Sequence, residues 1–169
     1  MSAELGLTIP LQRHLKIKTL LYGQEPDRRF CWDLHVISLR RRPSLLAVHC
    51  HTRYTFVLYD LSHLEWVRLP EVFSEGLRRS LSDAGLPSGA TEFLLKKEAP
   101  QFTRTHGRRE VAFLNRVWED VMAADLALDE SSRSQPLLDQ TVNAKPSRCA
   151  GMDGPETAAE RLWETVMKS

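Results

Sequence analysis

No apolar run in the sequence approaches the ~18 residues of a membrane span. The opening residues, MSAELGLTIP, show neither the basic patch nor the apolar core of a secretion signal. Cysteine is scarce: Cys31, Cys50 and Cys149 are odd in number, irregularly spaced and form no C-x-x-C pair. That pattern argues against a disulfide framework and a cysteine-type zinc ribbon. Together these absences point to a cytoplasmic protein with reduced thiols and no membrane partner. A glycine-rich phosphate loop, a G-x-S-x-G elbow and an H-E-x-x-H helix are also missing, and no cofactor is expected. We find no internal repeat and no low-complexity tract.

What is present is an ordinary globular composition, 42% hydrophobic and 27% charged. A chain of 169 residues suggests one domain with a tail. We read 1–146 as a single α+β domain and 147–169 as a loop and C-terminal helix docked on it. The net charge of +1 hides an asymmetry: residues 1–110 carry 17 Lys and Arg against 12 Asp and Glu, whereas 111–169 carry 6 against 10. A basic front and an acidic back would orient the molecule beside a polyanion, although dedicated nucleic-acid binders are usually far more basic.

Apolar residues between Leu11 and Leu21 allow a short helix. GQEPDRR, 23–29, reads as a loop. Phe30, Trp32, Leu34 and Val36 alternate with Cys31, Asp33 and His35, the two-residue period of a strand. RRRPS, 40–44, reads as a turn. LLAV, 45–48, and Thr52–Tyr59 read as further strands, and such short connections imply an antiparallel meander. Helical periods follow over Glu71–Ala84 and Arg108–Ala127, with Phe102–Thr105 as a short strand between them. SSRSQP, 131–136, reads as a linker, and the pattern of 137–145 fits no single element. Pro155 opens a last helix with Ala159, Leu162, Trp163 and Val166 inward. The class is α+β, a small antiparallel β-meander covered by helices on one side.

His49-Cys50-His51 invites a metal reading. A hairpin centred on Arg42 places His35 opposite His49 and Asp33 opposite His51, and opposed residues share a face. Three histidines and an aspartate would suit zinc or another transition metal. Against this, the meander needs a turn between LLAV and TRYTFVLY, and HCH is the stretch available. As an exposed hairpin tip its side chains would splay outward.

The frame W-x4-I-x3-R-R-x9-T-R-Y-x-x-V-L-Y runs through Trp32, Ile37, Arg41, Arg42, Thr52, Arg53, Tyr54, Val57, Leu58 and Tyr59. It resembles an uncharacterised family of small prokaryotic domains of unknown function. There the stretch reads W-H-A-N-L-I-x-I-N-R-R-K, then apolar residues, then V-N-D-K-T-R-Y. The resemblance continues in FTRTHGRREVAFLNRVWE through Thr103, Thr105, Arg108, Leu114 and Asn115, and in Asn143 and Pro146, so that it covers roughly 8–146. In the family the HCH positions read N-D-K, a turn composition, and the position of His35 is Asn. The resemblance therefore favours the turn over the metal, and implies no established activity.

The matched residues set the candidate binding surface: Arg41, Arg42, Arg53 and Arg108, with Trp32, Thr52, Tyr54 and Asn115. Guanidinium groups hold phosphate or carboxylate bidentately, and the amides at the start of the Arg108 helix favour anions. We expect a noncatalytic binding or regulatory module that contacts a protein or a nucleic acid through arginines. Small α+β domains of mobile elements and defence loci act in this way, as antitoxin-like or inhibitory proteins. The enzymatic alternative is a small nuclease on RNA or DNA, with His106 as general base and Arg104 and Arg108 on the phosphodiester.

Overall fold

The computed structural model describes residues 2–149 and 156–168. The alternation read in FCWDLHV becomes strand β2, Cys31–Leu39, at the centre of a five-stranded sheet. It turns into β3, Arg42–His49, and then β4, Thr55–Leu58, the expected antiparallel meander. The first hairpin is tighter than the sequence suggests. Leu39 pairs with Arg42, and only Arg40 and Arg41 form the turn, both with positive φ (46° and 66°). Two positive φ values match the twist of a two-residue hairpin loop. Pro43 lies within β3, opposite Ser38.

Two strands enlarge the meander. β1, Glu4–Leu7, runs parallel to β2 on one side. On its other side it pairs, also in parallel, with β5, Gln101–Arg104. The sheet order is β4-β3-β2-β1-β5. The remaining elements are helices α1 (Ile9–His14), α2 (His63–Val67), α3 (Leu69–Asp83), α4 (Ala90–Leu94), α5 (Arg108–Ala123) and α6 (Pro136–Asn143), a short β6-β7 ladder (Pro146–Ser147 with Glu156–Thr157), and α7 (Ala158–Met167).

Helices cover both faces of the sheet, not one. Leu5, Trp32, Leu34, Leu45, Ala47 and Phe56 meet Phe73 and Leu77 of α3 and Leu162 of α7 in one core. Ile37, Leu46, Val48 and Val57 meet Leu114, Val117 and Val121 of α5 and Leu138 and Val142 of α6 in a second. The continuous apolar run of β3 is the sequence trace of that double burial.

Strand β4 lies at a sheet edge, where unpaired amides would invite aggregation. Side chains of α6 cover it. Asn143 accepts from the Thr55 amide at 2.8 Å and donates to the Thr55 carbonyl at 2.7 Å, while Asp139 accepts from the Val57 amide at 3.0 Å. The i, i+4 spacing of Asp139 and Asn143 on one helix face matches the two-residue step of Thr55 and Val57. Burial raises the Asp139 pKa well above the usual carboxylate range.

The expected helix start at Pro155 lies outside the described residues. Helix α7 buries Ala158, Arg161 and Leu162, while Trp163, read as inward, is 46% exposed. The inward stripe is rotated because Arg161 has backbone partners to satisfy. Its Nε donates to the Thr52 carbonyl at 2.9 Å and its Nη1 to the carbonyls of Ser147 and Glu156 at 2.8 and 2.7 Å. Its Nη2 donates to Ser147 Oγ at 2.7 Å.

Candidate functional site

The HCHTRY segment is a turn, and its first half is buried. His49 lies opposite Trp32 and not opposite His35. The register is three residues from that of the proposed metal set, and an odd slip exchanges faces. His49 therefore packs against the Trp32 ring on the α3 side. His35 lies beside Trp118 of α5 on the other side, with Thr8 Oγ1 2.6 Å from its Nδ1. Asp33 pairs with His106, and His51 is half-buried. The four proposed ligands do not converge. Nor is HCH an exposed tip: His49 is fully buried and Cys50 is 5% exposed.

His49 is locked by two hydrogen bonds. Its Nε2 donates to the Arg29 carbonyl at 2.8 Å, and its Nδ1 accepts from the Thr52 hydroxyl at 2.7 Å. Burial pushes its pKa down to about 3. As the pH falls below about 6.5, the unfolded chain gains a proton that folded His49 refuses until about pH 3. Its contribution to stability is thus complete above that range and is lost toward acid, by roughly 1.4 kcal/mol per pH unit. Denaturant unfolding of the wild type and His49→Gln at several pH values should show a shallower acid loss in the variant.

Thr52 and Tyr54 are buried too. Thr52 Oγ1 accepts from the Tyr54 amide at 3.2 Å, and the Tyr54 hydroxyl meets Ser80 Oγ at 2.8 Å. Trp32 lies fully in the core. These matched residues build the scaffold. Arg41 and Arg42 are exposed at the hairpin, and Arg108 and Asn115 are exposed on α5. Arg40 reaches Asp125 and Glu130.

Arg53 is different. It has a φ of 69° and its amide donates to the His49 carbonyl at 2.8 Å. It thus belongs to the turn, and the strand begins only at Thr55. Its side chain crosses to the α5 face and is 4% exposed. There the guanidinium lies 5.1 Å from the Phe113 ring centre. Its Nη2 is 3.9 Å from Glu110 Oε1, too far for a hydrogen bond. Its Nη1 is buried with no hydrogen-bond partner.

Arg53 borders a cavity of about 640 Å³ between α5, α6 and β6. Arg53, Arg109, Phe113, Arg116, Lys145 and Arg148 line it, together with Glu119 and Asp120. Lys145 is taken by Asp120 at 2.5 Å. Arg109 and Arg116 have no ion-pair partner among the described residues. A second recess, formed by Arg28, Cys50, His51 and Glu110, shares Arg53 and Arg109. Of the arginines singled out from the sequence, only Arg53 lines this cleft. Arg109, Arg116 and Arg148 were missed; Arg109 and Arg116 follow Arg108 on α5 on the face toward α6.

The chain matches the model of a family described as Domain of unknown function (DUF6933) over residues 4–160. It belongs to this family. The DUF6933 match spans every strand of the main sheet and extends into α7. No curated protein and no solved structure matches the chain significantly. No helix among the described residues of this DUF6933 protein is long and apolar enough to cross a membrane.

His106, the candidate general base, lies outside the cleft. It is 9% exposed. Its Nδ1 donates to Asp33 Oδ1 at 2.7 Å and its Nε2 to Glu4 Oε1 at 3.1 Å. Burial opposes its charge, but Asp33, which accepts from the ring, and the neighbouring Cys31 and Cys50 prevail and raise its pKa. An imidazolium with both N–H groups engaged has no site to accept a proton. Arg104 reaches the Leu20 carbonyl at 2.9 Å and stacks on Tyr22.

Proposed function

We infer that this protein is a noncatalytic binding module whose Arg53 cleft receives a phosphate group of its partner, a nucleic acid in the simplest case. The observation that carries this reading is the unpartnered Nη1 of a buried arginine beside a basic cavity. A buried guanidinium left without partners is costly, so folded proteins normally satisfy it. Here the missing partner is an anion from outside. A planar guanidinium suits the paired oxygens of a phosphate, and Arg109, Arg116 and Arg148 extend the positive lining. Phe113 supports Arg53 from below and offers a flat apolar wall.

Nothing in the geometry favours the nuclease alternative, because His106 is engaged on both nitrogens and does not line the cleft. Labelled RNA and DNA oligonucleotides titrated over a salt series test the reading. Neutralisation of about four phosphates predicts a log–log salt slope of about −3 on single strands. Absence of binding to either at low salt overturns the nucleic-acid partner and leaves an acidic protein as the ligand class.

A further inference from the structure

Around His106 lies a second group of chemistry-bearing side chains, independent of the Arg53 cleft. Glu4, Cys31 and His106 each bring a donor atom, and these atoms lie within 4.8 Å of one another. All three residues are less than a tenth exposed. Cys31 Sγ is 3.9 Å from Glu4 Oε1, which in turn is 3.1 Å from His106 Nε2. We propose that Glu4, Cys31 and His106 form a binding site for a zinc-class divalent metal ion.

The donor chemistry selects the ion. A thiolate beside an imidazole and a carboxylate suits zinc or a neighbouring transition metal, and disfavours magnesium and calcium, which seek oxygen alone. The surroundings have the layered form of a metal site. His106 turns its other ring nitrogen to Asp33 at 2.7 Å, the carboxylate partner that fixes the orientation of metal-binding histidines. Glu4 keeps Oε1 toward the cluster while its Oε2 accepts from the amides of Gln24 and Glu25 at 2.7 and 3.1 Å. Two glycines leave the room. A side chain at Gly23 would collide with the Glu4 carboxylate, and one at Gly6 would meet the Thr105 Cα at 2.8 Å and the Asp33 carboxylate.

The exchange balances. The ion replaces the thiol proton of Cys31 and the Nε2 proton of His106, so the cluster keeps its net charge and the scaffold its shape. Three protein donors leave the fourth position of a tetrahedral ion to water. Asp33 also lies with Cys50 and His106 in a second grouping within the same distance limit. His106 turns Nδ1 to Asp33 at 2.7 Å and Nε2 to Glu4, on the side of Cys31, at 3.1 Å. Asp33 is accordingly the positioning residue and Cys31 the sulfur ligand.

Cobalt(II), then zinc(II), titrated into protein stripped of metal, tests the site. One cobalt per chain should give a thiolate-to-cobalt charge-transfer band that zinc displaces. Cys31→Ser should abolish the band, Cys50→Ser should keep it, and Asp33→Asn should weaken binding by roughly 10- to 100-fold. If Cys31→Ser does not fold, proton release by the wild type decides, with about two protons expected per zinc. A folded wild type without the band, a band that survives Cys31→Ser, or zinc uptake without proton release overturns the proposal.

Discussion

Arg161→Met is expected to lower the stability of the protein by roughly 3 kcal/mol and to loosen helix α7 from the sheet. The arginine is 1% exposed and has four hydrogen bonds, three of them to backbone carbonyls. It joins the turn at Thr52, the β6 strand at Ser147 and the β7 strand, just before α7, at Glu156. Methionine fills the volume and supplies no donor. Removal of one partner of a buried hydrogen bond leaves the other unsatisfied, at roughly 1–3 kcal/mol per group. Burial lowers the Arg161 pKa, and relief of that desolvation offsets part of the loss. Denaturant unfolding gives the size of the effect, and amide exchange in α7 shows where the structure opens. Unchanged stability with unchanged exchange would contradict the assignment.

The same substitution at Arg53 should act in the opposite sense. Arg53 is also buried, but it holds one carboxylate at 3.9 Å and leaves Nη1 unpaired. Replacement of a whole buried ion pair by apolar side chains is commonly neutral or stabilising by roughly 1–4 kcal/mol, and Glu110, at 3.9 Å, is too distant to offset the burial of the Arg53 charge. Arg53→Met should therefore melt at or above the wild-type temperature. Binding should fall by roughly 10- to 100-fold, the worth of a charged hydrogen bond of about 1.5–3 kcal/mol. A gain or parity in stability with a loss of binding is the signature of a residue kept for a ligand. A residue kept for the fold gives the Arg161 result.

These two arginines also show what the sequence could and could not disclose. Arg53 was conspicuous because it sits inside TRY, ahead of a β-branched and aromatic run. Arg161 looked like an ordinary charge on an amphipathic helix, since its partners are carbonyls at Thr52 and Ser147, which carry no side-chain signal. Strand β2 and helix α5 were legible because nine and sixteen residues are enough to display a period. Strand β1, with four residues, is too short for that, and its neighbours are parallel strands far along the chain. The hairpin register was missed because Arg40-Arg41 adopts a turn usually marked by Asn-Gly. That three-residue difference dispersed the histidines of the first metal reading. The group that does assemble joins Glu4 to His106, 102 residues apart, and Asp33 to His106, 73 apart. Only the closed sheet brings them together.

Calorimetric titration of pyrophosphate into the wild type and Arg53→Met, with both proteins shown folded by their melting curves, tests the Arg53 cleft most directly. Saturable binding by the wild type that weakens at least about tenfold in the variant is the predicted result. Equal binding by the two proteins, or no binding by the wild type at low salt, would contradict a phosphate site at Arg53.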